Sequence, residues 1–166
     1  MTNQTVQVAK IMGSDSDLPV VEAIFPILDS FGVKNTKNVM SAHRTPHAVM
    51  ELISESEKKG CKVFIAAAGM AAHLAGAVAA HSTRPVIGIP IESGGMGGID
   101  SLLSTAMMPP GVPVATVAVG KSGAKNSAIL AVQILATGNE DLAQKLIEYK
   151  KNMRDEVLEK DKKLNS

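Results

Sequence analysis

The feature that most constrains this chain is a repeated exchange of short apolar runs with longer amphipathic ones. Val6 to Met12, Lys62 to Ala67, Pro85 to Ile89 and Val114 to Val119 are each the length of a buried strand and too short for a helix. A more polar run over Val33 to Met40 reads as a fifth, weaker strand. Between these lie stretches with helical spacing: Ser16 to Phe31, Pro46 to Lys59, Ala71 to His81 and Ser122 to Ala136. Strands that alternate with helices pair in parallel and are covered on both faces. The expected fold class is α/β, a three-layer αβα sandwich around a doubly wound parallel sheet, flavodoxin-like or Rossmann-like. Pro26, deep in the first helical stretch, is expected to remove a hydrogen bond and bend that helix.

A single domain accounts for residues 1–166, with its core over about 6–137 and a long terminal helix over about 139–163. Asn139 is placed to cap that helix, Glu140 and Asp141 suit its positive end, and Lys160, Lys162 and Lys163 suit its negative end. Leu142, Leu146, Tyr149, Met153 and Val157 form one stripe along it. A helix of that length overruns a small domain, so part of the stripe either packs on another subunit or frays into solvent.

Charge and cysteine usage exclude several functions. Seventeen basic against sixteen acidic residues leave a net charge of +1, too little to recruit nucleic acid or a membrane surface. With no Trp, one Tyr and three Phe, there is no platform on which single-stranded bases could stack. Cys61 is the only cysteine, which rules out an internal disulfide framework and fits a reducing compartment. The N-terminus shows no charged region followed by an apolar stretch, so a cytoplasmic location is expected. The weakly polar run from Val63 to Ala80 is broken by Gly69, His73 and Gly76 and reads as strand, loop and helix, not as a membrane span.

Parallel sheets bind ligands beyond the carboxyl ends of their strands, so chemistry is sought just after each strand. After the first comes Gly13-Ser14-Asp15-Ser16-Asp17, without the GxGxxG of a dinucleotide site. Its N–H groups and hydroxyls suit an anion, but its two aspartates would repel a bare pyrophosphate. A ribose suits it better, with Asp17 accepting from sugar hydroxyls. Equally, Ser14 or Ser16 is a helix cap with dipole-matched aspartates behind it. After the second strand comes Ser41-Ala42-His43-Arg44-Thr45-Pro46. Thr45 and Pro46 are explained by starting a helix; an adjacent His and Arg are not. Arg44 offers a permanent forked charge for phosphate, and His43 a proton carrier near neutral pH. His47 reads as a surface residue.

After the third strand, Ala68 to Gly76 is rich in small residues, with His73 on the helix that follows. His73 is either a ligand contact or a satisfied structural histidine, and His81 reads as structural. After the fourth strand, Glu92 to Gly98 holds four glycines in seven residues, either a connector or a mobile loop over a site. Asp100-Ser101-Leu102-Leu103-Ser104 follows, and then the proline-stiffened run from Met107 to Pro113. Nucleophilic catalysis has no support: GxSxG is absent and Cys61 precedes a strand, at the wrong end of the sheet. The histidines and carboxylates show no metal-site spacing. What remains is acid–base chemistry on a phosphorylated ring.

GSDSD after the first strand, SAHRTP after the second, AGxAAHL after the third, and DSLLS before a GVPVATVAV strand resemble the PurE family, class I, over residues 6 to 158. The resemblance implies N5-carboxyaminoimidazole ribonucleotide mutase activity in purine synthesis, with no ATP, metal or biotin cofactor. It implies His43 as catalytic acid/base, and Ser14, Asp17 and Arg44 as substrate-binding positions. It places Ser41, Gly69, Ala71, His73 and Leu74 in the pocket wall. It further implies decarboxylation in a closed site, trapped CO₂ and recarboxylation at ring C4. The glycine-rich segment then acquires a purpose as a lid. The terminal helix resembles one that links a homo-octamer, whose active sites lie at subunit junctions. The only other partner expected is the small-molecule ribonucleotide.

The chain departs from the family pattern in three places: Met70 and Ala75 replace Gly and Pro in AGGAAHLPG, Glu92 to Leu102 differs from STLNGLDSL, and Ala106-Met107-Met108-Pro109 replaces VQMP. The class II relatives, which carboxylate aminoimidazole ribonucleotide directly with CO₂, resemble SAHKT and AGRSNALSG instead. Arg44 and Ala71-Ala72-His73 set this chain apart from them. A non-catalytic flavodoxin-like or receiver module would explain Asp15 and Asp17. It would also need a phosphoacceptor aspartate where Ala68-Gly69 stands, or aromatic residues to sandwich a flavin.

Overall fold

The structure is a computed structural model that describes residues 5–165. The expectation about the N-terminus draws on residues 1–4, which lie outside the described residues. Five strands form one parallel sheet: β1 (Val8–Met12), β2 (Asn35–Val39), β3 (Val63–Gly69), β4 (Val86–Ile91) and β5 (Ala115–Thr116). Their order is β2-β1-β3-β4-β5, with β1 pairing Val8 to Asn35 on one side and Val8 to Val63 on the other. This is the flavodoxin-like order, as the alternation of runs predicts.

Each strand's alternation divides its side chains between two cores. Val8 and Met12 of β1 join Ile65, Ile87 and Ile89 beneath α1 (Leu18–Val21), α2 (Phe25–Ser30), α6 (Gly120–Ala136) and Leu142 of α7 (Glu140–Leu164). Ala9, Ile11, Phe64 and Ala66 face the other way, against α3 (Pro46–Lys58) and α4 (Leu74–His81). On that second face, a methyl at Gly88 would lie 2.3 Å from Thr105 Cγ2, so glycine lets α5 (Ile99–Ala106) approach β4. Three layers result, with helices on both faces.

Several boundaries differ from the sequence expectation. The first helical stretch is not one bent helix. It breaks into a 3-10 turn (Asp15–Asp17), α1, a second 3-10 turn (Glu22–Ile24) and α2. Pro19 and Pro26 each occupy the first turn of a new segment, where a missing N–H costs nothing. β5 shrinks to two residues because it is an edge strand. Pairing continues only through Val117 N–H to the Gly88 carbonyl (3.1 Å) before Gly120, at φ 75°, opens α6 earlier than expected. β2 is the opposite edge and is only half-buried, which explains its polar sequence.

The terminal helix forms as expected, capped by Asn139 Oδ1 accepting from Leu142 N–H at 3.1 Å. Its 25 residues span about 37 Å. Leu142 is buried, Leu146 and Tyr149 pack against the core, and the Tyr149 ring lies 5.7 Å from that of Phe31. Beyond them Met153, Val157, Leu158 and Leu164 are exposed. Among the described residues no helix is long and apolar enough to cross a membrane.

One buried group does not follow from the pattern. Lys10, in the middle of β1, is 1% exposed. Its ammonium donates to Asn35 Oδ1 and lies 3.6 Å from the centre of the Phe25 ring. Burial lowers its pKa to about 7, against attraction from Asp29 and with added repulsion from Lys37. An unfolded lysine titrates near 10.4. Between those values the unfolded chain holds the extra proton, so this group makes stability rise with pH from about 7 to about 10 and impose a constant cost below. Lys10→Met is therefore expected to stabilise the protein at pH 7 by roughly 1–4 kcal/mol, as when apolar volume replaces a buried ionic group. Thermal unfolding at pH 7, 8, 9 and 10 should show the advantage shrinking as pH rises. An advantage constant across that range would mean the amine is not the cause.

Candidate active site

In the order β2-β1-β3, the chain leaves β1 toward one face of the sheet and leaves β3 toward the other, which opens a crevice at their carboxyl ends. A cleft of about 470 Å³ occupies it, and all nine residues singled out from the sequence line that one cleft. Gly13, Ser16, Ala42, Ala68, Met70 and Ser93 complete the lining.

The turn after β1 is built by its own side chains. Ser14 Oγ accepts from Ser16 N–H (3.3 Å), while Asp17 Oδ2 accepts from Ser14 N–H (3.1 Å), a reciprocal capping box. These N–H groups are thus occupied, and the three-residue 3-10 turn they open offers little to an anion. Asp17 is buried, and desolvation raises its carboxyl pKa, opposed by the backbone N–H groups of Ser14 and Gly13. A carboxyl held this way is a fixed, desolvated acceptor, which suits a sugar hydroxyl better than a phosphate.

The loop after β2 is closed by Thr45. Its hydroxyl does not cap α3, as the sequence suggested. It donates to the Ser41 carbonyl (3.0 Å) and accepts from Ser41 N–H (3.0 Å), while Ser41 Oγ accepts from Arg44 N–H (3.2 Å). The closed loop projects His43 and Arg44 into the cleft. Arg44 Nη2 donates to the Gly13 carbonyl (3.2 Å), which ties the two loops together across the mouth. Arg44 is the one lysine or arginine among the residues that line the cleft.

The loop after β3 also differs from expectation. α4 begins at Leu74, not Ala71, because Gly69 and Met70 turn the chain first. Met70 holds φ 55°, the only described residue other than glycine with a positive φ, in the place where the PurE pattern has glycine. His73 therefore stands in the turn just before α4, where its Nδ1 lies 2.8 Å from His43 Nε2 and the two rings meet edge to face. One ring donates and the other accepts, so a proton sits between them. His73 thus lines the cleft beside His43. His81 instead bonds the Ala77 carbonyl of its own helix (2.8 Å), and His47 is exposed. Cys61 is buried at the opposite end of β3. Among the described residues no three His, Cys, Asp or Glu side chains gather in a way that would hold a metal ion.

The sequence reading missed Ser93. Its only signal is its position just after β4, inside a segment read as a glycine-rich lid. Its hydroxyl sits over the face of Gly69, where a Cβ would lie 1.7 Å from Ser93 Oγ and 3.0 Å from the Ile91 carbonyl. Beyond it, Gly94 adopts φ 132° beside Met70.

Residues 7–156 match the family described as AIR carboxylase. The chain is 50% identical over 149 residues to N5-carboxyaminoimidazole ribonucleotide mutase of Bacillus subtilis, covering 90% of this chain and 92% of that one. It is 45% identical over 157 residues to the protein of the same name from Escherichia coli, covering 95% and 93%. Its backbone superposes on the crystal structure of Treponema denticola PurE with a TM-score of 0.87 at 29% identity, over 96% of this chain and 99% of that one.

The packing of Ser93 on Gly69 can be tested directly. Gly69→Ala forces a methyl into Ser93 and the strand carbonyl, and is expected to cost about 1–3 kcal/mol. Gly95→Ala, with nothing within 4 Å, should change stability by no more than about 0.5 kcal/mol. Urea unfolding of the two variants should separate them, and equal midpoints would refute the contact.

Proposed function

The chain belongs to the AIR carboxylase family, and on that premise we propose how its cleft carries out the reaction of its curated relatives. The protein is an isomerase of purine biosynthesis: it converts N5-carboxyaminoimidazole ribonucleotide by moving the carboxylate from N5 to ring carbon C4. The observation that carries the mechanism is the His43–His73 pair, 2.8 Å apart, in the same crevice as Arg44 and the 13–17 turn.

The steps follow from the substrate's own reactivity. Arg44 takes the phosphate by charge-assisted hydrogen bonds, and Asp17 takes ribose hydroxyls. Breaking the N5–carboxyl bond leaves its electron pair on nitrogen and releases CO₂. His43 supplies the proton that nitrogen then accepts. The electron-rich ring attacks the trapped CO₂ through C4, forming a carbon–carbon bond, and C4 loses its proton to His43. The proton count closes, so one imidazole serves both halves. His73, hydrogen-bonded to His43, fixes the tautomer and orientation of that imidazole. No cofactor is called on, because the aminoimidazole is its own nucleophile and the protein's task is confinement and orientation. The glycine-rich segment from Glu92 to Gly98 serves as the lid that keeps CO₂ in and water out.

The rest of the reading extends from the fold. One catalytic domain carries residues 1–166, and the outer part of α7, with Met153, Val157, Leu158 and Leu164 exposed, supports packing against neighbouring copies in a homo-octamer. The near-neutral charge and single buried cysteine suit a cytoplasmic enzyme.

Two experiments test this reading. His43→Asn should abolish conversion of the N5-carboxylated substrate, followed by ultraviolet absorbance, while leaving ribonucleotide affinity within about twofold. Arg44→Ala should do the reverse, weakening binding by about 1.5–3 kcal/mol through loss of a charged hydrogen bond. Full activity in the first variant, or unchanged affinity in the second, removes that residue from its role. For assembly, light scattering should return about eight times the 17.3 kDa chain mass, and a monomer would overturn the octamer.

A further inference from the structure

Every polar side chain lining the cleft has a protein partner, with one exception. The 14–17 turn is closed on itself, Ser41 holds the Arg44 N–H, Arg44 reaches the Gly13 carbonyl, and the two histidines hold each other. The Ser93 hydroxyl alone makes no hydrogen bond to any described residue. It is half-buried and seated in the notch that Gly69 leaves by lacking a side chain. A donor placed in a binding cleft and left without a protein partner is available to a ligand.

Its place in the sheet says which part of the ligand. The candidate ribose and phosphate contacts, Asp17 and Arg44, belong to the β1 and β2 side, whereas Ser93 follows β4. Two strand spacings, about 10 Å, separate β1 from β4. A ribonucleotide held at the β1 side by its phosphate and sugar extends its ring toward Gly69 and Ser93. The glycine surface of Gly69 admits a flat group close to backbone, and the hydroxyl beside it faces whatever hangs from the ring edge.

We infer that Ser93 is a further substrate-contacting residue, whose hydroxyl donates to an oxygen of the migrating carboxyl group and holds it over the ring between N5 and C4. This rests on the mutase reading. The contact is charge-assisted with the carboxylate at both ends of the reaction. It persists, more weakly, with neutral CO₂ between them. As CO₂ bends and gains negative charge on its oxygens during attack by C4, the donor strengthens, so it favours recapture over escape.

The test uses Ser93→Ala, which keeps the Cβ that packs on Gly69 and removes only the donor. The substrate carries ¹³C in its N5 carboxyl, the buffer holds unlabelled bicarbonate, and label is counted per molecule of C4-carboxylated product. The wild type should retain most of the label. The variant should lose most of it, with kcat lowered of the order of 100-fold and KM changed less than about threefold. Because retention is counted per product molecule, partial unfolding of the variant does not alter it. Retention and kcat equal to the wild type would overturn the role of Ser93. Failure of the wild type itself to form the C4-carboxylated product would instead overturn the mutase reading beneath it.

Discussion

The chain's departure from β1 and β3 in opposite directions is the constraint on which the site depends. Parallel strands need crossover helices, and those helices must cover both faces of the sheet. Where neighbouring crossovers diverge, the carboxyl ends of two central strands are left uncovered. Gly13 and Gly69 stand at those ends, and everything in the cleft is placed relative to them. The loops after β2 and β4 then close the crevice from either side. The Arg44–Gly13 hydrogen bond fixes the first of these walls, and the seating of Ser93 on Gly69 fixes the second.

Within that frame, polar groups are arranged in two tiers. Some are consumed in holding the loops: Thr45 and Ser41 shape the second loop, and Ser14 with Asp17 shapes the first. Others line the cleft in chemically distinct zones. Arg44 and the Asp17 carboxyl, which also closes its own turn, lie toward β1 and β2, the hydrogen-bonded His43 and His73 stand together, and small residues with the Ser93 hydroxyl lie toward β3 and β4. A molecule with a phosphate, a sugar and a flat polar ring is the kind of ligand that would match such zones.

Much of this was legible in the sequence, for identifiable reasons. Buried parallel strands such as Val63 to Gly69 are apolar throughout, so they stand out from amphipathic helices, and the residues following them can be read as site candidates. The same rule blurs at the edges, where β5 has only one neighbour and β2 is half-exposed. Thr45 was read as a cap because its position is right, but its hydroxyl answers to a loop that no local rule foretells. Ser93 hid among glycines because its significance comes from Gly69, twenty-four positions earlier, and that contact exists only once β3 and β4 pair. Lys10 is the reverse case: a charge in the centre of an apolar strand, made tolerable by Asn35 and Phe25 from two other elements.

Met70 carries a consequence for how this site can vary. Its backbone lies in a region where a side chain costs about 1–2 kcal/mol and a β-branched one more. Exchanges at this position are therefore filtered by a torsion angle before they are filtered by chemistry: glycine or asparagine can enter freely, while valine, isoleucine and threonine are barred. A chain that keeps methionine here gains an apolar arm at the lip of the crevice beside Gly94. The amino acid at 70 thus records a trade between ease of turning and coverage of the entrance, settled here in favour of coverage.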